Sequence, residues 1–233
     1  MKVESLHPFG VCMQGLSCAD LMGLPVDFME KALIQQGLVL IDNIQLTAQE
    51  IKLFCERFSA LEPTDLKKSE DEVDGVLRVT SATKNGEPLG IFGHASGLGW
   101  HANRPSSRDR KSIVCTYSSE GCDGTETWWA STQLVLQGLK EEERDHLRKI
   151  KAHFGYKPGT YTEENYKPHK NSEAWPLITE RQGREILYFP FNQIIEYQSD
   201  LADAHFEPLI AKLQDQVTSE SFVYRHKWSG HQL

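Results

Sequence analysis

Gly99-Trp100-His101-Ala102-Asn103 and, further along, Gly124-Thr125-Glu126-Thr127-Trp128-Trp129-Ala130-Ser131 are the stretches on which the reading of this chain turns. The first sets an imidazole and an amide two residues apart. Residues i and i+2 project to the same side of a strand, so on a strand His101 and Asn103 would converge on one point. Neutral imidazole is a common metal ligand, and an amide oxygen can coordinate a cation without bringing charge. The second stretch runs from a glycine turn through threonines and tryptophans to a helix that begins at Ser131.

Together the two stretches resemble the core of the taurine-dioxygenase-like branch of the iron(II)/2-oxoglutarate-dependent oxygenases. There, Trp-His-x-Asp or Trp-His-x-Glu on a strand opens the metal site. Gly-Gly-Asp-Thr-x-(Trp/Phe)-(Ala/Thr)-(Ser/Asp) and a helix follow. The resemblance implies that His101 is the first metal ligand and that Asn103 stands where the family has a carboxylate. It implies that the hydroxyl of Thr127 donates to the distal carboxylate of 2-oxoglutarate, with Thr125, offset by two, as the bland alternative. It also places Arg104 and Arg108 beside the substrate pocket. Either could hold a substrate carboxylate with its planar fork, or be a solvated loop arginine. The likeness covers residues 26–233 in layout and is specific only over 90–135.

Non-heme iron(II) oxygenases hold the metal with two His and one carboxylate, leaving three positions open. Asn103 leaves such a complex one charge more positive. Three readings follow: weaker iron binding helped by 2-oxoglutarate, an anion such as chloride in the vacated position, or a dead site. The family also carries a distal His after a further apolar strand, with an Arg beyond it that pairs with 2-oxoglutarate. Trp228-Ser229-Gly230-His231-Gln232-Leu233 reads as the turn before that strand, and His231 sits too early to be the ligand. The expectation is that the C-terminal end of the core is missing from this chain; the alternative is that half the site has been lost. His94, on a glycine-rich loop, is a lesser candidate ligand.

Composition limits the partners. Apolar residues make up 39% and charged residues 25%, with a net charge of -8 and a pI of about 5.6. A nucleic acid or an anionic membrane needs a basic face, so neither is expected as a partner. No apolar run approaches the roughly 20 residues that cross a bilayer, and no secretory leader is evident. The five cysteines, Cys12, Cys18, Cys55, Cys115 and Cys122, are odd in number and lack a Cys-x-x-Cys pair. That argues against a disulfide framework or a zinc cluster and points to the cytoplasm.

The elements follow from periodicity. Residues 1–25 read as an irregular lead-in. Val26 to Gln36 has a helical period with Phe28, Ala32 and Leu33 on one face, and Gly37 ends it. Leu38 to Ile41 reads as a buried strand. Thr47 to Glu50 has the form of a capping box, opening a helix that buries Ile51, Phe54 and Phe58. Strands are expected at Val76–Ser81, Ser112–Ser118, Glu185–Phe191 and Phe222–Trp228, with a turn at Lys84–Glu87 and helices at Ser131–Leu139, Glu141–Ile150 and Leu201–Val217. Gly155 to Ser172 reads as a long surface loop of the kind that forms lids. Trp100, Trp128 and Trp129 are expected to pack. Periodicity alone gives mixed α and β. The resemblance implies an α+β fold with a double-stranded β-helix (jelly-roll) core flanked by helices, residues 1–233 forming one domain.

The expected function is therefore that of a 2-oxoglutarate-dependent non-heme iron dioxygenase. Its cofactors would be iron(II) and the co-substrate 2-oxoglutarate. The substrate would be a small polar, amino-acid-like metabolite that is hydroxylated, desaturated or cyclised, and a homo-oligomer is compatible with this reading. The rival is a pseudo-oxygenase that kept the fold as a small-molecule or protein-binding module.

Overall fold

A computed structural model describes residues 1–61, 73–80, 82–88, 90, 99–103, 105, 113–119, 121–155, 173–181 and 183–233. The chain divides into two compact units. The first comprises Met1–Ser96, Cys115–Thr127 and Arg225–Leu233; the second comprises Gly97–Val114 and Trp128–Tyr224.

The first unit begins with β1 (Lys2–Ser5) and β2 (Val11–Gln14), an antiparallel pair closed by Leu6 N–H on the Gly10 carbonyl at 2.9 Å. Gly10 has φ +100°, and a Cβ there would meet Leu38 Cβ at 3.1 Å, so the turn requires glycine. Helix α1 (Cys18–Gly23) follows, capped by Ser17 and Asp20 reciprocally. Helix α2 (Val26–Gln36) ends at Gly37, whose φ of +77° lets its N–H reach the Leu33 carbonyl. Strand β3 (Val39–Asp42) then runs parallel to β2. Helix α3 (Ala48–Glu56) opens on the Thr47/Glu50 capping box. A two-residue hairpin joins β4 (Thr83–Lys84) to β5 (Glu87–Pro88). Asn85 and Gly86 both have positive φ there, as a type I′ turn demands. The core of this unit gathers Met13, Leu21, Met29, Ile41, Ile44, Phe54 and Leu233.

Strand β6 (Glu126–Ala130) begins in the first unit and passes into the second. There, α4 (Thr132–Gly138) is capped by the Ser131 hydroxyl, and α5 (Glu141–Arg148) carries three glutamates in its first turn. Strand β7 (Lys151–Phe154) pairs with β8 (Trp175–Pro176); β9 (Ile178–Arg181) and β10 (Arg184–Leu187) form an antiparallel pair. A 3-10 turn, Phe191–Gln193, leads into β11 (Ile194–Gln198), which returns along β7 with a bulge after Ile194. Helix α6 (Asp203–Val217) packs on α4, and β12 (Val223–Lys227) pairs with β6. Leu147, Ile150, Phe154, Leu177, Leu187 and Leu213 are buried at the centre of this unit's core.

The α+β expectation agrees with this architecture, and α2 has the bounds that periodicity indicates. Four local expectations are corrected. Residues 1–25 are not irregular: they hold β1, β2 and α1. Val11-Cys12-Met13 is buried on both faces, so it shows no alternation to read. On α2 the buried residue is Met29, while Phe28 lies outward. Over Val76–Thr80 only Val79 enters a bridge, and Leu77 and Val79 are exposed. Over 113–119 the one bridge is Ser118 to Gln232, and Ile113 and Val114 are exposed. Trp228 to Leu233 does form a turn. Its last residues then pair, Leu233 exchanging both backbone hydrogen bonds with Ile41. Residues 156–172 of the expected lid lie outside the described residues.

Candidate metal and co-substrate residues

His101 and Asn103 belong to the second unit, and both are exposed. They do not lie on a strand, which corrects the expectation that strand alternation aligns them. The reason is visible in the backbone. Ala102 N–H, between the two, donates to the side-chain carbonyl of Gln193 at 2.6 Å rather than to a neighbouring strand. The His101 ring is fixed as well. Its Nδ1 lies 2.8 Å from the Gly99 carbonyl oxygen, which can only accept. Nδ1 therefore carries a proton, and in the neutral ring the lone pair is on Nε2. A backbone carbonyl on one ring nitrogen is the usual means of orienting a histidine whose other nitrogen coordinates metal. A Cβ at Gly99 would stand 3.6 Å from Asn192 Nδ2, so Asn192 and Gln193 of the 3-10 turn both lie beside this segment.

Trp100 lies against Trp128, ring centroids 6.4 Å apart. Trp129 stacks on Tyr224 at 6.2 Å, in line with the packing expected of it. Trp128 departs from that expectation: 45% of its surface is exposed.

Thr127 belongs to the first unit and is half-buried. Its hydroxyl oxygen accepts the indole N–H of Trp228 at 2.8 Å, leaving its own proton to be donated. Trp228 is held in turn by its backbone N–H on the Thr125 carbonyl and by an edge-to-face contact with His226. The Thr125 hydroxyl donates to the Cys122 carbonyl at 2.7 Å, so its proton is already placed. The two threonines offered as alternatives by the sequence thus differ in chemistry. His226, buried, meets Gln232 Oε1 through Nε2 at 3.0 Å, and Gln232 donates to Asp42 at 2.8 Å. His231 adopts φ +65° and meets the Tyr117 hydroxyl through Nδ1.

Arg104, Arg108 and His94 lie outside the described residues. Among the described residues no group of three His, Cys, Asp or Glu converges as a metal site, and no helix is long and apolar enough to cross a membrane. Sequence reasoning missed Gln193 and Trp228. The run Tyr188-Phe189-Pro190-Phe191-Asn192-Gln193-Ile194 did carry a signal, a polar pair inside an apolar segment.

The model of the Taurine catabolism dioxygenase TauD, TfdA family matches residues 2–233. No curated protein sequence matches the chain. Solved structures share the fold at low identity. AAD-2, crystallised with Mn(II) and N-oxalylglycine, gives a TM-score of 0.64 at 15% identity, covering 100% of this chain and 85% of its own. A taurine dioxygenase from Burkholderia xenovorans gives 0.59 at 15% identity, covering 99% and 78%. PvcB from Pseudomonas aeruginosa gives 0.57 at 15% identity, covering 96% and 75%.

Proposed function

Because the chain belongs to the Taurine catabolism dioxygenase TauD, TfdA family, we propose that it is an iron(II)- and 2-oxoglutarate-dependent oxygenase. Its substrate would be a small polar, amino-acid-like metabolite. We also assign residues 1–233 to one domain with a jelly-roll core. The observation that carries the reading is the His101 ring, whose Nδ1–H rests on the Gly99 carbonyl and whose Nε2 is left as a donor atom. His101 Nε2 and Asn103 Oδ1 are the groups that would hold the metal from this segment. Both are neutral, so the site binds a dication less firmly than one with a carboxylate, and 2-oxoglutarate supplies negative charge of its own.

Iron(II) held there would supply the oxidation of a substrate C–H bond by dioxygen, one oxygen atom entering succinate as 2-oxoglutarate loses CO₂ and the other leaving as the substrate's new hydroxyl or as water. Thr127 would donate its hydroxyl proton to the distal carboxylate of the co-substrate, a proton left free for that bond because the Thr127 oxygen accepts from the Trp228 indole. Arg104 and Arg108 are the candidate partners for a substrate carboxylate.

A second reading rests on the neutral Asn103 and on the want of a three-residue acidic, His or Cys cluster among the described residues. It is a pseudo-oxygenase that binds small molecules or a protein partner without turnover. Aerobic incubation with iron(II) and 2-oxoglutarate, with succinate followed by mass spectrometry, separates the two. Succinate formed by the wild-type chain supports the oxygenase. Succinate formed only by Asn103→Asp marks the natural protein as inactive, and none from either favours the binding module.

A further inference from the structure

We propose that Gln193 is the positioning residue of the metal segment, its side-chain carbonyl fixing the backbone between His101 and Asn103 through Ala102 N–H. This rests on the assignment of His101 as a metal ligand.

Gln193 is fully buried, in a stretch where its neighbours Phe189 and Ile194 are part of the apolar core. A buried amide costs free energy unless its polar atoms are matched, so a glutamine here calls for a partner that a leucine could not serve. The side-chain carbonyl has that partner in Ala102 N–H at 2.6 Å. The backbone of Gln193 is itself held at both ends. Its N–H donates to the Pro190 carbonyl at 2.8 Å, and its carbonyl accepts Gly155 N–H, at the end of β7, at 2.9 Å. The acceptor offered to Ala102 is therefore carried by a fixed turn rather than by a free side chain. Asn192, the preceding residue of the same turn, lies beside Gly99, whose carbonyl orients the His101 ring. One short turn thus supports the segment at the residue before Trp100 and again at the residue after His101. Because the segment is not in a sheet, no strand ladder fixes its backbone, and Gln193 takes that place.

The experiment is an equilibrium titration of Mn(II), in excess 2-oxoglutarate, followed by the loss of the free-ion electron paramagnetic resonance signal. Wild type, His101→Ala, Gln193→Leu, Gln193→Asn and Gln193→Glu are compared, with near-ultraviolet circular dichroism reporting the fold. Supporting groups of this kind affect metal affinity by about 10- to 100-fold. Gln193→Leu, which removes the acceptor, is expected to lose that much. Gln193→Asn, one methylene shorter and still an amide, is expected to lose affinity with its circular dichroism unchanged. It carries the test if the leucine variant fails to fold. Gln193→Glu keeps an acceptor oxygen and is expected to stay nearer to wild type than either. If His101→Ala abolishes binding while Gln193→Asn and any folded Gln193→Leu bind as wild type does, the positioning role is overturned and the ligand assignment stands. If His101→Ala binds as wild type does, or wild type does not bind, the ligand assignment falls and this inference with it.

Discussion

At Thr127 one hydroxyl oxygen accepts from the Trp228 indole and keeps a proton to give. With Thr127 on the co-substrate as proposed, Thr127→Val deletes one charge-assisted hydrogen bond, worth about 1.5–3 kcal/mol. The KM for 2-oxoglutarate should rise by roughly 10- to 100-fold, the same energy expressed as a ratio. Thr125→Val should leave that KM unchanged, because the Thr125 proton already serves Cys122. Steady-state succinate formation checks both. The motif selects Thr127, with Thr125 as the bland alternative; the difference between their hydroxyl contacts was not legible in the sequence. It depends on an indole about a hundred residues away, and on a backbone turn at Cys122. His101 and Asn103 were legible as residue types at a spacing. Their setting was not, since it depends on Gln193 and on a carbonyl just upstream. The neutral amide of Asn103 leads to a further expectation. Asn103→Asp adds a full negative charge beside the cation, and Mn(II) should bind the variant at least several-fold more tightly in the same titration. Equal or weaker binding would remove Asn103 from the ligand set.

At the scale of the element, α3 shows how much a local signature decides. Thr47 Oγ1 accepts Glu50 N–H at 3.2 Å, and Glu50 accepts Thr47 N–H at 2.7 Å. Loss of a cap of this kind costs about 1 kcal/mol. Thr47→Ala should therefore lower the Tm by about 2–4 °C for a chain of this size, read by a thermal melt. That box was legible because Thr and Glu stand three apart ahead of an apolar period. Ser17 and Asp20 make the same arrangement ahead of α1, where aspartate, the less familiar partner, makes the signature harder to read. The short strands were harder. β2 is buried on both faces, and β7 and β11 are held by pairing partners far along the chain. Helix α5 carries a pH-dependent contact. The ammonium of Lys212, on α6, donates to Glu143 and holds that carboxyl below the ordinary glutamate range. A lowered carboxyl pKa stabilises the fold above the ordinary range, and the contribution fades as pH falls through it. Both groups are partly exposed, so the pair is worth roughly 0.2–1 kcal/mol. Lys212→Met should melt up to a few degrees below wild type at neutral pH, and the gap should close in acid. A gap that widens in acid would contradict the assignment.

For the whole molecule, the match over residues 2–233 places the chain in the Taurine catabolism dioxygenase TauD, TfdA family, and AAD-2 shares its fold. Each unit has its own apolar core. Phe154 is completely buried in the second unit's core, edge-on to Tyr188 at 5.0 Å. Phe154→Ala should cost about 3–5 kcal/mol, whereas truncation of the exposed Val79 should be nearly silent. Comparative thermal melts of the two variants test this. The central claim is that His101 holds iron(II) with 2-oxoglutarate. The most direct measurement is the visible charge-transfer absorption that iron(II) shows when a 2-oxo acid chelates it, recorded without oxygen. The account predicts that wild-type protein develops the band on addition of both components and that His101→Ala, folded by circular dichroism, does not. A band of equal strength in His101→Ala, or no band in wild type at saturating iron(II) and 2-oxoglutarate, would contradict it.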